Sequence, residues 1–394
     1  MRIFISTGEV SGDLQGALLI EGLKRQAKAM GIELELVALG GDRMAAAGAT
    51  LLGNTEGIGS VGLLEALPFI LPTLQIQRRA KQYLRDNPPD LIVLIDYAGP
   101  NGEIGKYVRQ HLPQVPMLYY IAPQYWVWSA PPTLASRIVK VTDLEKILQV
   151  MDRLLAIFPE EARFFEKRGV DVCWVGHPLL DRMQKAPSRE ASRASLGIQP
   201  DQLAISLFPV SRRQEVRYLF PVLFEAMGQL QEKLPQVHFL IPLSLPAYRQ
   251  PIEAQLERHG IKATILEGRS LEVMAAADLA IAKSGTVNLE IALMEIPQLV
   301  LYRVNPITLW LARKLFKFAT PFLSPANLVV MEPIVPELFQ ENATPERILQ
   351  ESLDLLLNSE RRQEMLKNYR RMRDCLGEVG VCDRAAREIL EFSR

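Results

Sequence analysis

Cysteine and histidine are scarce in this 394-residue chain, with three of the first and four of the second. Cys173, Cys375 and Cys382 fall at no metal-ligand spacing and make no even set for disulfides, which suits a reducing cytosol. No His-x-Glu or Cys/His set is present, so neither a bound metal nor a cofactor is expected. Charge of one sign is also lacking: Lys plus Arg and Asp plus Glu are 45 each. With no strongly basic domain, nucleic acid is not an expected partner. No apolar run approaches 18 residues, so nothing is expected to span a bilayer. Met1-Arg2-Ile3-Phe4-Ile5-Ser6 passes directly into the first fold element, so no signal peptide is expected. Repeats of fixed period and low-complexity tracts are absent. What remains, at 48% hydrophobic, 23% charged and 7% aromatic residues, is the composition of a globular protein. Its length exceeds what one hydrophobic core usually serves, so two domains are expected.

Short apolar runs alternate with helical segments through most of the chain. In the first half they are Arg2–Ser6, Leu34–Leu39, Leu91–Asp96, Met117–Ile121, Leu154–Phe158 and Val172–Val175. In the second half they are Ala204–Phe208, His238–Pro242, Thr264–Leu266, Leu279–Ala282 and Gln298–Tyr302. Apolarity that is continuous rather than alternating predicts strands covered on both faces, hence parallel sheets with helices between. Two such series predict an α/β protein of two doubly wound, Rossmann-like domains facing a cleft. The expected division is a first domain over 1–183, a linker rich in proline and charge over 184–202, a second domain over 203–358, and a helical tail over 359–394. That tail could return to pack on the first domain.

The turns after the strands carry the chemistry. Ala282-Lys283-Ser284-Gly285-Thr286-Val287-Asn288-Leu289-Glu290 reads as strand, small polar turn and helix start, which can present backbone N–H groups to a phosphate. Ser284 or Thr286 can cap that helix, Gly285 allows close backbone approach, and Glu290 can take the hydroxyls of a ribose. The alternative is a capped helix with a solvated glutamate. Gly8-Glu9-Val10-Ser11-Gly12-Asp13 follows the first strand. Gly8, Gly12 and Gly16 are spaced by fours, which is not the dinucleotide fingerprint. Such a turn can still floor a pocket with N–H groups, with Glu9 and Asp13 offering acids for sugar hydroxyls or a proton. Otherwise it is a glycine turn with Asp13 on the helix dipole. Asp96 ends a very apolar strand, where a raised pKa would suit a general base; it could instead cap the next helix. Ser211 and Arg212, in Pro209-Val210-Ser211-Arg212, are phosphate ligands by type. His177 is read as structural. Trp126 and Trp128 belong to an aromatic cluster that is core or borders a lipid-facing cleft. Val61–Leu74, broken by two prolines and followed by Arg78-Arg79-Ala80-Lys81, is either buried or a lip that meets a membrane surface or an acyl chain.

Together, and in this order, these pieces resemble the lipid-A-disaccharide synthases, bacterial glycosyltransferases. Further matching pieces are Gly40-Gly41-Asp42-Arg43-Met44, Val61-Gly62-Leu63-Leu64-Glu65, Pro123 with Trp126-Val127-Trp128, Val175-Gly176-His177-Pro178 and Tyr302-Arg303. Asn327 lies in Leu323-Ser324-Pro325-Ala326-Asn327, which is similar to the family's Ser-Leu-Pro-Asn. The resemblance implies a two-domain transferase of the B type with no metal requirement. It would join UDP-2,3-diacylglucosamine to 2,3-diacylglucosamine 1-phosphate, inverting the anomeric centre, to give a β-1,6 disaccharide and UDP. It implies Asp96 as base, with Glu9 or Asp13 near the acceptor and Gly8, Ser11 and Gly12 also binding substrate. Ser211, Arg212, Ser284, Gly285 and Thr286 would hold diphosphate, Glu290 the ribose, and Asn327 substrate. A cytoplasmic enzyme in peripheral contact with the inner membrane is implied. Against the family's usual pattern, Val210 replaces a glycine, Gly99 an acid and Ser129 an arginine, and an arginine is missing near Met331. Two other readings stay open: a related UDP-sugar transferase or epimerase with another acceptor, and a non-catalytic nucleotide- or lipid-binding relative.

Overall fold

Unbroken apolar strands need cover on both faces, and parallel sheets between helices supply it. A computed structural model describes residues 1–55, 69–127, 142–306, 309–310 and 322–392. It divides into two units, the first built mainly from Met1–Asp181 and Leu376–Arg394, the second mainly from Arg182–Leu309 and Pro321–Cys375.

The first unit carries β1 (Arg2–Ser6), β2 (Glu35–Gly40), β3 (Thr50–Asn54), β4 (Leu91–Leu94), β5 (Met117–Tyr120), β6 (Arg153–Ala156) and β7 (Asp171–Trp174). Among the described residues they form one parallel sheet in the order β3-β2-β1-β4-β5-β6-β7. Ile5 lies opposite Ala38 on one side and Val93 on the other, and all three side chains are buried. The second unit carries β8 (Leu203–Phe208), β9 (Val237–Leu243), β10 (Ala263–Glu267), β11 (Leu279–Lys283), β12 (Gln298–Tyr302) and β13 (Glu337–Phe339). These are also parallel, in the order β10-β9-β8-β11-β12-β13. Each apolar run singled out in the sequence is a strand; β3 and β13, both at sheet edges, were not anticipated. The stretch expected as a linker is not a bare connector. Its helix Arg189–Ser195 is capped by Ser188, and Arg189 and Arg193 both pair with Asp278 of the second unit.

The C-terminal segment divides at Leu376. Helix Ser359–Asp374 stays with the second unit, while helix Val381–Phe392 packs along helix Glu9–Met30 of the first. Asp181 fastens its start: the carboxylate accepts from the N–H groups of Gly380, Val381 and Cys382 at 2.5, 3.2 and 2.8 Å, satisfying donors that a helix start leaves without partners. Arg25 pairs with Asp383 at 2.7 Å. The two helices approach closely at Gly22, where a Cβ would stand 2.5 Å from the Cys382 carbonyl oxygen. Backbone cannot swing aside as a side chain can, so Gly22→Ala is expected to cost about 1–3 kcal/mol by overpacking, despite alanine's better helix propensity. Urea denaturation should show the loss, and hydrogen exchange should quicken across Val381–Phe392. Unchanged exchange there would refute this account of the contact.

Candidate functional site

In a doubly wound sheet, ligands collect beyond the carboxyl ends of the strands, where the strand order reverses. In the first unit that point lies between β1 and β4. The turn Gly8–Asp13 leaves β1 there, and Asp96 and Tyr97 leave β4. The backbone is strained at this edge. Glu9, Asp96, Tyr97 and Ile121, following β1, β4 and β5, have φ of 64, 44, 54 and 68°, in the left-handed region that costs a non-glycine residue about 1–3 kcal/mol. Asn101, fully buried, holds the turns together. Its Oδ1 accepts from the Ser6 hydroxyl at 2.7 Å, and its Nδ2 donates to the carbonyls of Ser6, Ile95 and Asp96 at 3.2, 3.1 and 2.8 Å. Asp96 N–H donates to the Ile121 carbonyl at 2.9 Å, and the Asp96 side chain is exposed. The Tyr97 ring covers Gly8, where a Cβ would come within 2.6 Å of it. Burial, and then the charge of Glu9, push the Tyr97 hydroxyl up to about 12, against a hydrogen bond with Thr73.

Asp13 is fully buried. One oxygen accepts from Gly41 N–H at 2.7 Å and Met44 N–H at 3.1 Å, the other from Arg43 N–H at 3.1 Å. Its carboxylate therefore fixes the neighbouring Gly41–Met44 turn. The glycines spaced by fours serve close packing: a Cβ at Gly12 would strike the Thr7 hydroxyl at 2.0 Å, and one at Gly16 the Met44 sulfur at 2.5 Å. Ser11 is half-buried beside them.

A second buried acid braces the next two strands. Glu161 accepts from Ala122 N–H, after β5, at 2.7 Å, and from Ile157 and Phe158 N–H, after β6, at 2.8 and 3.2 Å. Burial raises its pKa to about 7, the three amide bonds pulling down and the charge of Asp96 adding to the rise. His177 is buried 5.1 Å from the Phe158 ring, and its Nδ1 accepts from Leu179 N–H. Burial lowers its pKa to about 3, so the ring is neutral. The Trp126 ring lies 5.4 Å from that of Phe158. Val61–Pro68, Trp128 and Ser129 lie outside the described residues.

In the second unit the order reverses between β8 and β11, with Phe208 opposite Ala282. The turns Pro209–Arg212 and Lys283–Thr286 thus leave adjacent strands. Buried Glu215 accepts from Ser211 and Arg212 N–H at 2.5 and 2.9 Å. Neither Ser284 nor Thr286 caps helix Val287–Leu293. The Ser284 hydroxyl donates to the Leu323 carbonyl at 2.6 Å, and Thr286, itself helical, makes no side-chain cap. Asn288, in the first turn of the helix, bonds back to the preceding turn, its Oδ1 accepting from Gly285 N–H at 2.8 Å. Asn288 is buried with Gln298 and Tyr369, to which it is linked in series. Glu290 is not solvated: it is buried and paired with Arg182 at 2.7 Å. Asn327 is spent internally, bonding both N–H and carbonyl of Val335 and the Glu337 carboxylate. It lines a separate cleft of about 420 Å³ with Phe322, Val335, Glu337, Arg361 and Asn368, to which none of the other predicted residues contributes.

A model of the lipid-A-disaccharide synthetase family matches residues 3–391. The chain belongs to this family. It is 63% identical over 392 residues to the lipid-A-disaccharide synthase of Gloeothece citriformis (strain PCC 7424), covering all of both chains. To that of Synechocystis sp. (strain ATCC 27184 / PCC 6803 / Kazusa) it is 56% identical over 395 residues, covering 100% of this chain and 98% of the relative. Solved structures share the fold at low identity. UDP-GlcNAc 2-epimerase from Neisseria meningitidis bound to UDP-GlcNAc is 13% identical, with a TM-score of 0.61 over 100% of both chains. WaaG, a glycosyltransferase involved in lipopolysaccharide biosynthesis, is 16% identical, with a TM-score of 0.56 over 99% of both chains. The fold is the glycosyltransferase B type.

Asn101, Glu161, Arg182, Glu215 and Asn288 are the residues that sequence reasoning missed. Glu161 and Glu215 stand three residues after the residue preceding a helix, a spacing that marks a glutamate bonding back to the helix start. For Asn101 and Arg182 no local signal exists. The high pKa of Glu161 has a consequence for stability. The folded state holds its proton more tightly than the unfolded chain, so this contribution is complete below about 4.5 and is lost as pH rises through about 7. Denaturation of wild type and Glu161→Gln from pH 4 to 8 should therefore give curves that converge as pH rises. Below about pH 4.5 the variant should be less stable by about 1–3 kcal/mol for the lost acceptor. Parallel curves would show that Glu161 does not titrate in this range.

Proposed function

We propose that this chain carries out its family's reaction. It joins UDP-2,3-diacylglucosamine to 2,3-diacylglucosamine 1-phosphate, forming the β-1,6 lipid A disaccharide 1-phosphate and UDP with inversion. The supporting observation is that the turns carrying the family resemblance leave the strands on either side of the order reversal in each sheet. The acceptor's 6-hydroxyl oxygen attacks the donor's anomeric carbon, the bond from that carbon to the UDP oxygen breaks, and the departing electron pair stays on the diphosphate. Asp96 takes the hydroxyl proton. Its exposed carboxylate sits on a backbone fixed by Asn101 and Ile121, so a mobile loop need not be ordered first. Glu9 meets the acceptor, Gly8, Ser11 and Gly12 shape the turn beneath it, and Asp13 holds the neighbouring Gly41–Met44 turn in place. Ser211, Arg212 and the Ser284-Gly285-Thr286 turn face the diphosphate, and Glu290, oriented by Arg182, faces the ribose. Asn327 keeps its own helix in place and meets substrate at the cleft it lines.

Acylated sugars reside in a membrane, and the reading includes peripheral contact with the inner membrane from the cytoplasm. Among the described residues no helix is long and apolar enough to cross a bilayer. Ile70, Leu71 and Leu74 are exposed at the start of helix Ile70–Asp86, with Arg78 and Arg79 exposed one turn further on. Apolar side chains beside cations suit an anionic lipid surface.

The test is UDP release in detergent micelles containing UDP-2,3-diacylglucosamine, with and without the acceptor. Release that requires acceptor and yields the disaccharide supports the reading; release without it, or none from folded protein, sinks it. Asp96→Asn should lower kcat by roughly two to four powers of ten, and a loss under tenfold would remove Asp96 from the role of base. Glu290→Ala should raise the donor KM more than it lowers kcat; an unmoved KM would take the ribose contact away from Glu290.

A further inference from the structure

The turns after β8 and β11 leave neighbouring strands, yet four of the amides they would offer a phosphate are already committed. Ser211 and Arg212 N–H both donate to Glu215, Ser284 N–H to the Leu301 carbonyl at 2.9 Å, and Gly285 N–H to Asn288. Glu215 and Asn288 are 2% and 0% exposed, and freeing an amide would leave a buried acceptor without its partner. Val210, buried in its turn, adds bulk where close backbone approach would need a glycine. The following helices, Arg213–Tyr218 and Val287–Leu293, have 6 and 7 residues, too short to supply much of a dipole. A departing diphosphate still has to be met by positive charge.

Lys283 ends β11, and its side chain turns back over its own turn. A Cβ built on Gly285 would stand 2.5 Å from Lys283 Nζ and 3.4 Å from its Cε. Gly285 therefore leaves room for an ammonium group. We propose that Lys283 contacts the diphosphate of the donor, so that the leaving group is met by side-chain charge, with Arg212 from the adjacent turn, where four of the turns' amides are committed elsewhere. This rests on the nucleotide-sugar reading given above. It assigns Gly285 a different purpose from backbone approach: a larger residue would displace the cation.

Calorimetric titration of the full chain with UDP and with uridine separates the possibilities, using wild type, Lys283→Met and Lys283→Arg. A charge-assisted contact is worth about 10- to 100-fold in affinity. Lys283→Met is expected to weaken UDP at least tenfold and leave uridine unchanged, and Lys283→Arg to recover most of the loss. A smaller loss for UDP, or equal losses for UDP and uridine, overturns the assignment, the second because it marks a purely structural lysine. Wild type that binds no UDP overturns the nucleotide reading itself, and this inference with it.

Discussion

A parallel sheet ends in turns whose N–H groups have no strand to bond, and burying such a group without a partner is costly. In this protein the same solution recurs at the carboxyl ends of both sheets. A buried side chain on a neighbouring element takes two or three of these donors at once. Asp13 does so for Gly41, Arg43 and Met44, Glu161 for Ala122, Ile157 and Phe158, and Glu215 for Ser211 and Arg212. Asn101 instead donates to the carbonyls of Ser6, Ile95 and Asp96, and Asn288 accepts from the N–H of Gly285. Without these acceptors the loops would lose both their hydrogen bonds and their geometry.

Burying a carboxylate is itself unfavourable unless several donors surround it. Glu161 shows how closely the terms balance. Three amides hold its charged form, burial and the charge of Asp96 oppose it, and its pKa comes to about 7. The strained conformations of Glu9, Asp96, Tyr97 and Ile121 persist for the same reason. Asn101 bonds Ser6, Ile95 and Asp96, and Glu161 bonds Ala122 next to Ile121, so relaxing Asp96 or Ile121 would break hydrogen bonds.

The sheets were legible because their central strands are covered on both faces and read as unbroken apolar runs. β3 and β13 were not. β3 is a half-buried edge strand containing Gly53, and β13 has three residues beginning with Glu337. The turns were legible by position, since small and charged residues follow strands there. Their inner workings were not, because the deciding partners come from elsewhere in the chain. Asp13 acts 28 to 31 residues away and Asn101 95 residues away. An acid shortly after a strand gives no sign in sequence of whether it faces solvent, as Asp96 does, or is buried on backbone amides, as Asp13 is in the helix that follows β1. Glu290, read as either a ribose ligand or a solvated residue, proved to be a buried partner of Arg182.

Committing the amides also constrains the chemistry that remains. A turn whose N–H groups are free can bind an anion by backbone alone, and its residue types then matter little. Here the N–H groups of Ser211, Arg212, Ser284 and Gly285 are occupied, so side chains on a fixed frame carry more of the electrostatics at these turns. Fixed donors and charges stabilise a leaving group without reorganising as it departs. The frame supplies rigidity, and the charge on it is set by residue choice at a few positions, Lys283 and Arg212 among them. Substitutions at those positions can alter the electrostatics while Glu215 and Asn288 keep the turns in shape.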